Sequence, residues 1–178
     1  MTIRQLLLIF TLLSIVSGCY SGITGRVVDA ETQLPIEGAV VLVEWTKTHG
    51  FGEHWTESYK VVEEVSDKSG NVIIAGCYSP FVNPPNVTVY TKGYVAWNNE
   101  YVFPGYDRRT DFNWGSGYVF KMDKMLSLYK YIDHQSFVNG AAHPERSSEK
   151  KKIFIKSFGD AEDIKYIEEL KERHKSGR

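Results

Sequence analysis

The segment AVVLVEW, residues 39–45, decides the predicted fold of this 178-residue chain. Successive residues of a strand point to opposite faces of its sheet. Val40 and Leu42 therefore share one face. Val41 and Val43 share the other. Because both faces are apolar, the segment is typical of a central strand in a two-layer packing.

Outward from this segment, the chain has the pattern of short strands separated by turns. The turn at Pro35–Gly38 combines a Pro, which fixes one backbone angle, with a Gly, which gives freedom at another. A second turn is predicted at Asp67–Gly70. The other predicted strands are Ile23–Val28, Ser58–Val65, Val72–Ala75, Val87–Thr91, Tyr101–Phe103 and Tyr118–Met122. This pattern favours a mainly β protein, an antiparallel β-sandwich.

Four segments in this region carry a resemblance to a known family. They are GRVVDAET at 25–32, PIEGAVVLV at 35–43, SDKSGNV at 66–72 and KGY at 92–94. In this order they resemble the carboxypeptidase regulatory-like domain, a transthyretin-like and Ig-like β-sandwich, over residues 22–103. The chain departs from the family pattern at Gln33–Leu34 and in the polar and aromatic insertion Thr46–Thr56. The resemblance implies an accessory module without catalytic activity.

The N-terminal residues have the features of a lipoprotein signal peptide. Arg4 precedes an apolar stretch, Leu6–Val16, that is too short to span a membrane as a helix. The sequence that follows, ending in Cys19, resembles the bacterial lipobox, which implies cleavage after residue 18 and lipidation of Cys19. A plain secretory signal and an N-terminal anchor helix are the alternatives. Since Tyr20 is not Asp, we expect an exported protein held at the outer membrane if the organism is Gram-negative.

The predicted domains are a signal peptide at 1–18, the β-sandwich at 19–122 and a helical C-terminal extension at 123–178. Asp123 is a candidate N-cap for an amphipathic helix that packs on the sandwich. The apolar positions of that helix are Met125, Leu128, Tyr129 and Ile132. Glu145–Lys152 is predicted to be a charged segment. A second helix is predicted over Asp160–Lys175.

The composition and motifs favour no catalytic site and no cofactor. A formal net charge of −1 leaves no basic excess for binding nucleic acid. His49, Glu53 and His54 are weak candidates for metal ligands, because the glycines between them make a loop rather than a helix that presents two ligands on one face. We therefore expect no metal. Cys77 is expected to be a buried, unreactive thiol.

The aromatic residues between 78 and 120 are the most suggestive feature for function. Trp97, Tyr101, Tyr106 and Trp114 lie among Gly, Asn, Pro and Asp rather than among aliphatic residues. Exposed Tyr and Trp suit sugar rings or a protein partner, whereas the alternative is that these rings close one end of the sandwich. The predicted function is a non-catalytic, membrane-anchored module of the cell envelope that binds a protein or glycan. The alternatives are a structural or assembly component without a separate ligand and, third, a small hydrolase.

Overall fold

A computed structural model describes residues 19–50, 53–143, 148–159 and 172 of the chain. Within these ranges short strands come first and helical segments follow. The strands are β1 (Cys19–Tyr20), β2 (Ile23–Asp29), β3 (Val40–His49), β4 (Trp55–Val65), β5 (Asn71–Ile74), β6 (Cys77–Tyr78), β7 (Asn86–Tyr90), β8 (Trp97–Asn98), β9 (Tyr101–Val102), β10 (Asp107–Arg108) and β11 (Tyr118–Met122). The helical segments are α1 (Tyr131–Ala142), a 3-10 turn (Ser148–Lys150) and α2 (residues 152–159).

Two sheets form the body of the protein. One sheet has four antiparallel strands in the order β4-β3-β7-β8, and the other has three strands in the order β11-β2-β5. The mainly β sandwich is therefore confirmed. One pairing differs from the expected antiparallel pattern, since β2 runs parallel to β11 although it is antiparallel to β5. Two neighbouring parallel strands need a long connection between them, and here residues 30–117 form it.

The inner core lies between the two sheets. From β3 it takes Val41, Val43 and Trp45, which are fully buried. They pack with residues of the facing sheet that include Val27 and Phe120. Burying an aliphatic side chain of this size contributes about 1.5–3 kcal/mol, so this layer is a main source of stability.

The outer core lies on the other face of the four-stranded sheet. Val40 and Leu42 contact Phe137 of α1 and Phe154 of α2 in one buried cluster. The helices therefore cover this face, so the central position of β3 is confirmed, but the packing has three layers and not the predicted two. The layers run from the three-stranded sheet to the four-stranded sheet and then to the helices.

The predicted helix from Asp123 is wrong in its position. Residues 123–125 are held as extended backbone, because Val95 N donates to Asp123 O at 2.7 Å and Met125 N donates to Gly93 O at 2.9 Å. Leu128, expected on the buried stripe, is 73% exposed. The helix begins at residue 131 instead, and it buries residues such as Phe137 and Val138.

The second helical segment lies earlier than expected. Residues 152–159 are helical, so the end of the predicted charged segment Glu145–Lys152 starts α2. Glu63 of β4 caps this helix, because its carboxylate accepts from Ile153 N at 3.0 Å and from Phe154 N at 2.7 Å. The predicted helix Asp160–Lys175 falls outside the described residues apart from residue 172.

The sandwich has two ends, which are called the Asp29 end and the Cys19 end after a residue that lies at each. At the Asp29 end, the Asp29 carboxylate accepts from Thr32 N at 2.8 Å and from Tyr94 Oη at 3.0 Å. The backbone hydrogen bond from Thr32 in particular lowers the pKa of Asp29 to about 2. The Lys124 ammonium group lies 3.5 Å from the same carboxylate. These contacts fix the turn that follows β2.

The predicted turn at residues 67–70 is also found at the Asp29 end. Gly70 has φ +76°, a left-handed value that favours glycine, and a Cβ at this position would collide with Val27 O. Asp67 accepts hydrogen bonds from Ser69 N and Asn71 N, each at 2.8 Å. The backbone hydrogen bond from Asn71 in particular lowers the pKa of Asp67. The Asp and Gly of this motif therefore have structural roles.

Candidate functional site

Two of the four predicted binding aromatics belong to the inner core. Trp97 is buried, and its ring makes edge contacts with Phe120 at 5.0 Å and Phe112 at 5.5 Å. Trp114 is partly buried against Trp45 at 5.4 Å, and its Nε1 donates to a backbone carbonyl at 3.1 Å. The Trp97 ring is therefore not available to a ligand.

The other two aromatics lie on the helix side of the four-stranded sheet. Tyr106 is exposed and packs edge-on against Phe137 of α1 at 5.3 Å. Tyr101 is half-buried, and the Arg108 guanidinium lies 5.4 Å from the centre of its ring. The four predicted aromatics thus divide between two places and do not form one exposed patch.

Tyr101 and Arg108 line a polar cleft with a volume of about 600 Å³. The cleft lies between the C-terminal end of α1, the outer face of β3, the loop before β7 and the loop after β8. Its other polar lining residues are Glu44, Thr46, Thr56, Asn83, Asn86, Asn99, Glu100 and His143. Clefts of 300–1,000 Å³ are the usual size for small-molecule sites.

The walls of the cleft are held by hydrogen bonds between asparagine side chains and neighbouring backbone and side-chain groups. Asn99 accepts from Val87 N at 2.7 Å and donates to Pro85 O at 3.0 Å, which fixes the loop after β8. Asn83 donates to Thr46 Oγ1 at 2.9 Å, and this fixes the loop before β7 against β3. Because these loops are already held in place, ligand binding would cost little conformational entropy to order them.

A buried ion pair lies beneath the cleft. Glu44 of β3 is 3% exposed and Lys151 is 0% exposed, and Lys151 Nζ lies 2.8 Å from Glu44 Oε2. The same ammonium group donates to Ala142 O at 3.0 Å and to His143 O at 2.9 Å, the carbonyls at the end of α1. The lysine therefore uses all three of its donors.

The second carboxylate oxygen of Glu44 has a different environment. Glu44 Oε1 is buried and has no hydrogen-bond partner among the described residues. Leaving a buried acceptor unsatisfied costs about 1–3 kcal/mol, so such atoms are uncommon in folded proteins. Glu44 thus combines a structural contact through Oε2 with a buried oxygen that no donor among the described residues satisfies.

The weak metal candidates lie on the ribbon formed by the ends of β3 and β4. His49 Nε2 lies 3.4 Å from Glu57 Oε2, and the His49 ring stacks on Trp55 at 5.6 Å. Glu53 and His54 are exposed. Among the described residues, no group of three or more His, Cys, Asp or Glu side chains is placed to hold a metal ion.

The backbone of Cys19, the predicted lipidation residue, is part of the described chain. Cys19 pairs with Tyr78 in the short ladder between β1 and β6, at the Cys19 end of the sandwich. The side chain of Cys19 lies outside the described part of the chain. Cys77 is buried in the inner core, as predicted. Over the described ranges, no helix combines the length and the apolar character needed to cross a membrane.

Sequence reasoning missed the residues that form the cleft, apart from Tyr101. A signal for one of them was present, since Glu44 interrupts an otherwise apolar strand, and a buried carboxylate needs a partner. The partner, Lys151, is 107 residues away in the stretch that the sequence predicts only as a charged segment. In the sequence, the asparagines of residues 83–99 stand out only as neighbours of the aromatic residues, and no pattern indicates that they line a cleft.

Comparisons with known proteins add little to this description. No protein-family model and no curated protein sequence matches the chain. Among solved structures, hydroxyquinol 1,2-dioxygenase from Pseudomonas putida DLL-E4 matches 62% of this chain over 57% of its own, at 13% identity and a TM-score of 0.35. A variant of the shaft pilin SpaA from Lactobacillus rhamnosus GG matches 63% over 48%, at 23% identity and a TM-score of 0.31.

The isolated C-terminal domain of that pilin matches 59% of this chain over 98% of its own length, at 22% identity and a TM-score of 0.29. The matched part of this chain spans less than two thirds of the dioxygenase and of the longer pilin chain. With TM-scores this low, none of these likenesses carries an argument about function.

Proposed function

We propose that this chain is a non-catalytic glycan-binding module of the cell envelope, anchored to a membrane through lipidated Cys19. The observation that carries the proposal is the polar cleft beside α1. Amide side chains both donate and accept hydrogen bonds, and this matches sugar hydroxyl groups, which do the same. Tyr101 adds a ring with an apolar face and a polar edge, a combination that suits a pyranose.

The charges around the cleft favour a neutral ligand. Glu44 is balanced by Lys151, and the charge of Glu100 is matched by that of Arg108. No single sign of charge dominates, so neither an anionic nor a cationic ligand has an electrostatic advantage. A short neutral oligosaccharide fits both this balance and the cleft volume.

The proposed location follows from the N-terminal sequence. The signal peptide, residues 1–18, directs export and is removed, and the acylated Cys19 holds the mature protein at a membrane. Two or more acyl chains anchor a protein stably where one does not. In a Gram-negative organism we propose the outer membrane, because Tyr20 stands where an Asp would retain the protein at the inner membrane.

A second candidate function is a structural or assembly component of the envelope without a separate ligand. The burial of Trp97 favours it, because this ring contributes to the core and not to a binding surface. The two candidates differ in what the cleft does. A glycan-binding module loses affinity when the cleft is altered, whereas a purely structural protein has no such affinity to lose.

The test is titration calorimetry with a panel of neutral oligosaccharides, namely maltotriose, cellotriose and tri-N-acetylchitotriose. We expect saturable binding of at least one of them, and a tenfold or greater loss of affinity in Glu100→Ala and Asn83→Ala. Lys121→Ala is the matched control, since Lys121 is exposed on the far sheet. Binding that these cleft variants leave unchanged, or no binding by any of the three, would contradict the proposal.

A further inference from the structure

Four exposed aromatic side chains lie towards the Cys19 end of the sandwich. They are named here the aromatic rim and comprise Trp55, Tyr59, Tyr78 and Phe81, with exposed fractions of 61%, 45%, 70% and 78%. We propose that the aromatic rim lies against the surface of a lipid bilayer. The proposal rests on the anchoring of the chain through Cys19 and adds a specific orientation to it.

Strand pairing places Tyr78 beside the N-terminus of the described chain, and Phe81 lies in the turn that follows. Cys19 and Tyr78 are direct partners in the β1–β6 ladder, and Phe81 follows three residues later. An acyl chain on Cys19 therefore enters the bilayer within a few residues of these two rings. The rings are close to the lipid without any further movement of the domain.

The ribbon that carries Trp55 and Tyr59 extends from the same end. Asn83, two residues after Phe81, contacts Thr46 and Thr48, and Thr48 is paired with Thr56 next to Trp55. Lys60 Nζ also donates to the carbonyl of Gly76, immediately before β6. These contacts connect the ribbon to the segment that pairs with Cys19.

The conformations of the ribbon aromatics are held in place. The Trp55 ring stacks on His49, and Lys47 Nζ lies 3.9 Å from the centre of the Tyr59 ring. Both rings are held by these contacts but remain exposed, so a large apolar area is in contact with water. Trp and Tyr are the residues enriched where membrane meets water, because they combine an apolar ring with a polar atom.

The two ends of the sandwich differ in their exposed apolar residues. At the Asp29 end these are aliphatic: the Leu34 carbonyl accepts from Asp29 N, and Leu126 lines a small cleft together with Asp29 and Glu31. Aromatic residues characterise the Cys19 end, from which the anchor emerges. This asymmetry favours a bilayer as the occupant of the aromatic rim.

The charges on the ribbon predict how such contact depends on lipid and salt. Lys47 and Lys60 are balanced by Glu53 and Glu57, so there is no basic excess to attract anionic headgroups. The contact should therefore form on neutral phosphatidylcholine and persist at high salt. A polybasic surface would behave in the opposite way.

The test uses the purified full chain reconstituted in phosphatidylcholine vesicles, with and without brominated acyl chains, which quench nearby tryptophan. We expect quenching in the brominated vesicles at both low and high salt, its loss in Trp55→Phe, and at least a twofold reduction in the variant with Tyr78→Ser and Phe81→Ser. Leu34→Ser, at the other end, is the matched control and should leave quenching unchanged. Equal fluorescence in the two vesicle types, with the protein shown by flotation to be bound, would overturn the proposal.

Mass spectrometry of the same sample separates this proposal from the lipid anchor. If Cys19 carries no lipid, the anchor proposal fails. The protein is then coupled through the Cys19 thiol to a maleimide lipid, and the fluorescence measurement is repeated. Quenching that depends on Trp55 in the coupled protein would support the aromatic rim by itself, and its absence there would overturn it.

Discussion

Lys151 Nζ lies 2.8 Å from Glu44 Oε2, and both side chains are buried between the four-stranded sheet and the helices. The contact joins β3 to the residue that precedes α2. Through its bonds to Ala142 O and His143 O, the same lysine also closes the C-terminal end of α1. One cation thus connects the sheet to both helices beneath the cleft.

The first prediction is that Lys151→Met strongly destabilises the fold. The substitution leaves Glu44 as a buried charge without its partner and removes the donor to two carbonyl groups. Breaking a buried pair in this way costs about 3–5 kcal/mol. The free energy of unfolding, measured with urea, should fall by that amount.

Two further variants control this measurement. Lys152→Met removes a neighbouring lysine that is exposed, and it should change stability by about 0.5 kcal/mol or less. The double variant with Glu44→Leu and Lys151→Met replaces both charges by apolar groups and should regain much of the loss. A single variant as stable as the parent would mean that the pair is not buried.

The second prediction concerns acid stability. Because the pKa of Asp29 is lowered from 3.8 to about 2 in the folded protein, the ionised carboxylate stabilises the fold at pH values above 3.8. That contribution is lost as the pH falls towards 2. Asp29→Asn should therefore be less stable than the parent at neutral pH, and the difference should shrink on acidification.

Urea unfolding at pH values from 7 to about 2 measures this difference. Asp107→Asn is the matched control, because Asp107 is exposed and lies in the separate β9–β10 ladder. A difference between Asp29→Asn and the parent that stays constant over this range would contradict the assigned role of Asp29.

The third prediction tests the sandwich through β3. Val41→Asp places a charge without a partner in the inner core, where Val41 is fully buried, and should cost several kcal/mol of the roughly 5–15 available to a domain. Lys47→Gln on the same strand should cost about 0.5 kcal/mol or less. Equal, small losses in urea unfolding would mean that β3 is not a central strand.

The fourth prediction concerns the anchor. Cys19→Ala removes the site of lipidation, so the protein should no longer sediment with membranes after salt and carbonate washing. Cell fractionation followed by immunoblotting measures this. Ser17→Thr is the conservative control, because it leaves the cysteine in place. Tight membrane association of Cys19→Ala would refute the lipid anchor.

Seven of the eleven strands in the described residues could be predicted from the sequence, because their residues alternate or are apolar on both faces. The other four, β1, β6, β8 and β10, have two residues each, too few to show a pattern. Residues 39–45 placed a central strand correctly. The helix predicted from Asp123 failed because residues 123–125 pair with the segment after β7. Local periodicity does not reveal a partner that is about 30 residues away.

The candidate site was less predictable because it depends on distant contacts. The pairing of Glu44 with Lys151 joins residues 107 positions apart, and no local pattern specifies it. Aromatic composition alone could not distinguish Trp97, which completes the inner core, from Tyr101, which reaches the cleft. Burial is decided by the packing of the two layers and not by residue type.

The measurement that tests the central claim most directly is a titration followed by nuclear magnetic resonance. The side-chain amide signals of Asn83, Asn86 and Asn99 report on the cleft, and that of Asn71, exposed in β5 of the three-stranded sheet, reports on a surface outside it. We expect tri-N-acetylchitotriose, maltotriose or cellotriose to shift the three cleft asparagine signals in a saturable way and to leave the Asn71 signal unchanged. Shifts confined to residues outside the cleft, or no shifts with any of the three sugars, would contradict the account.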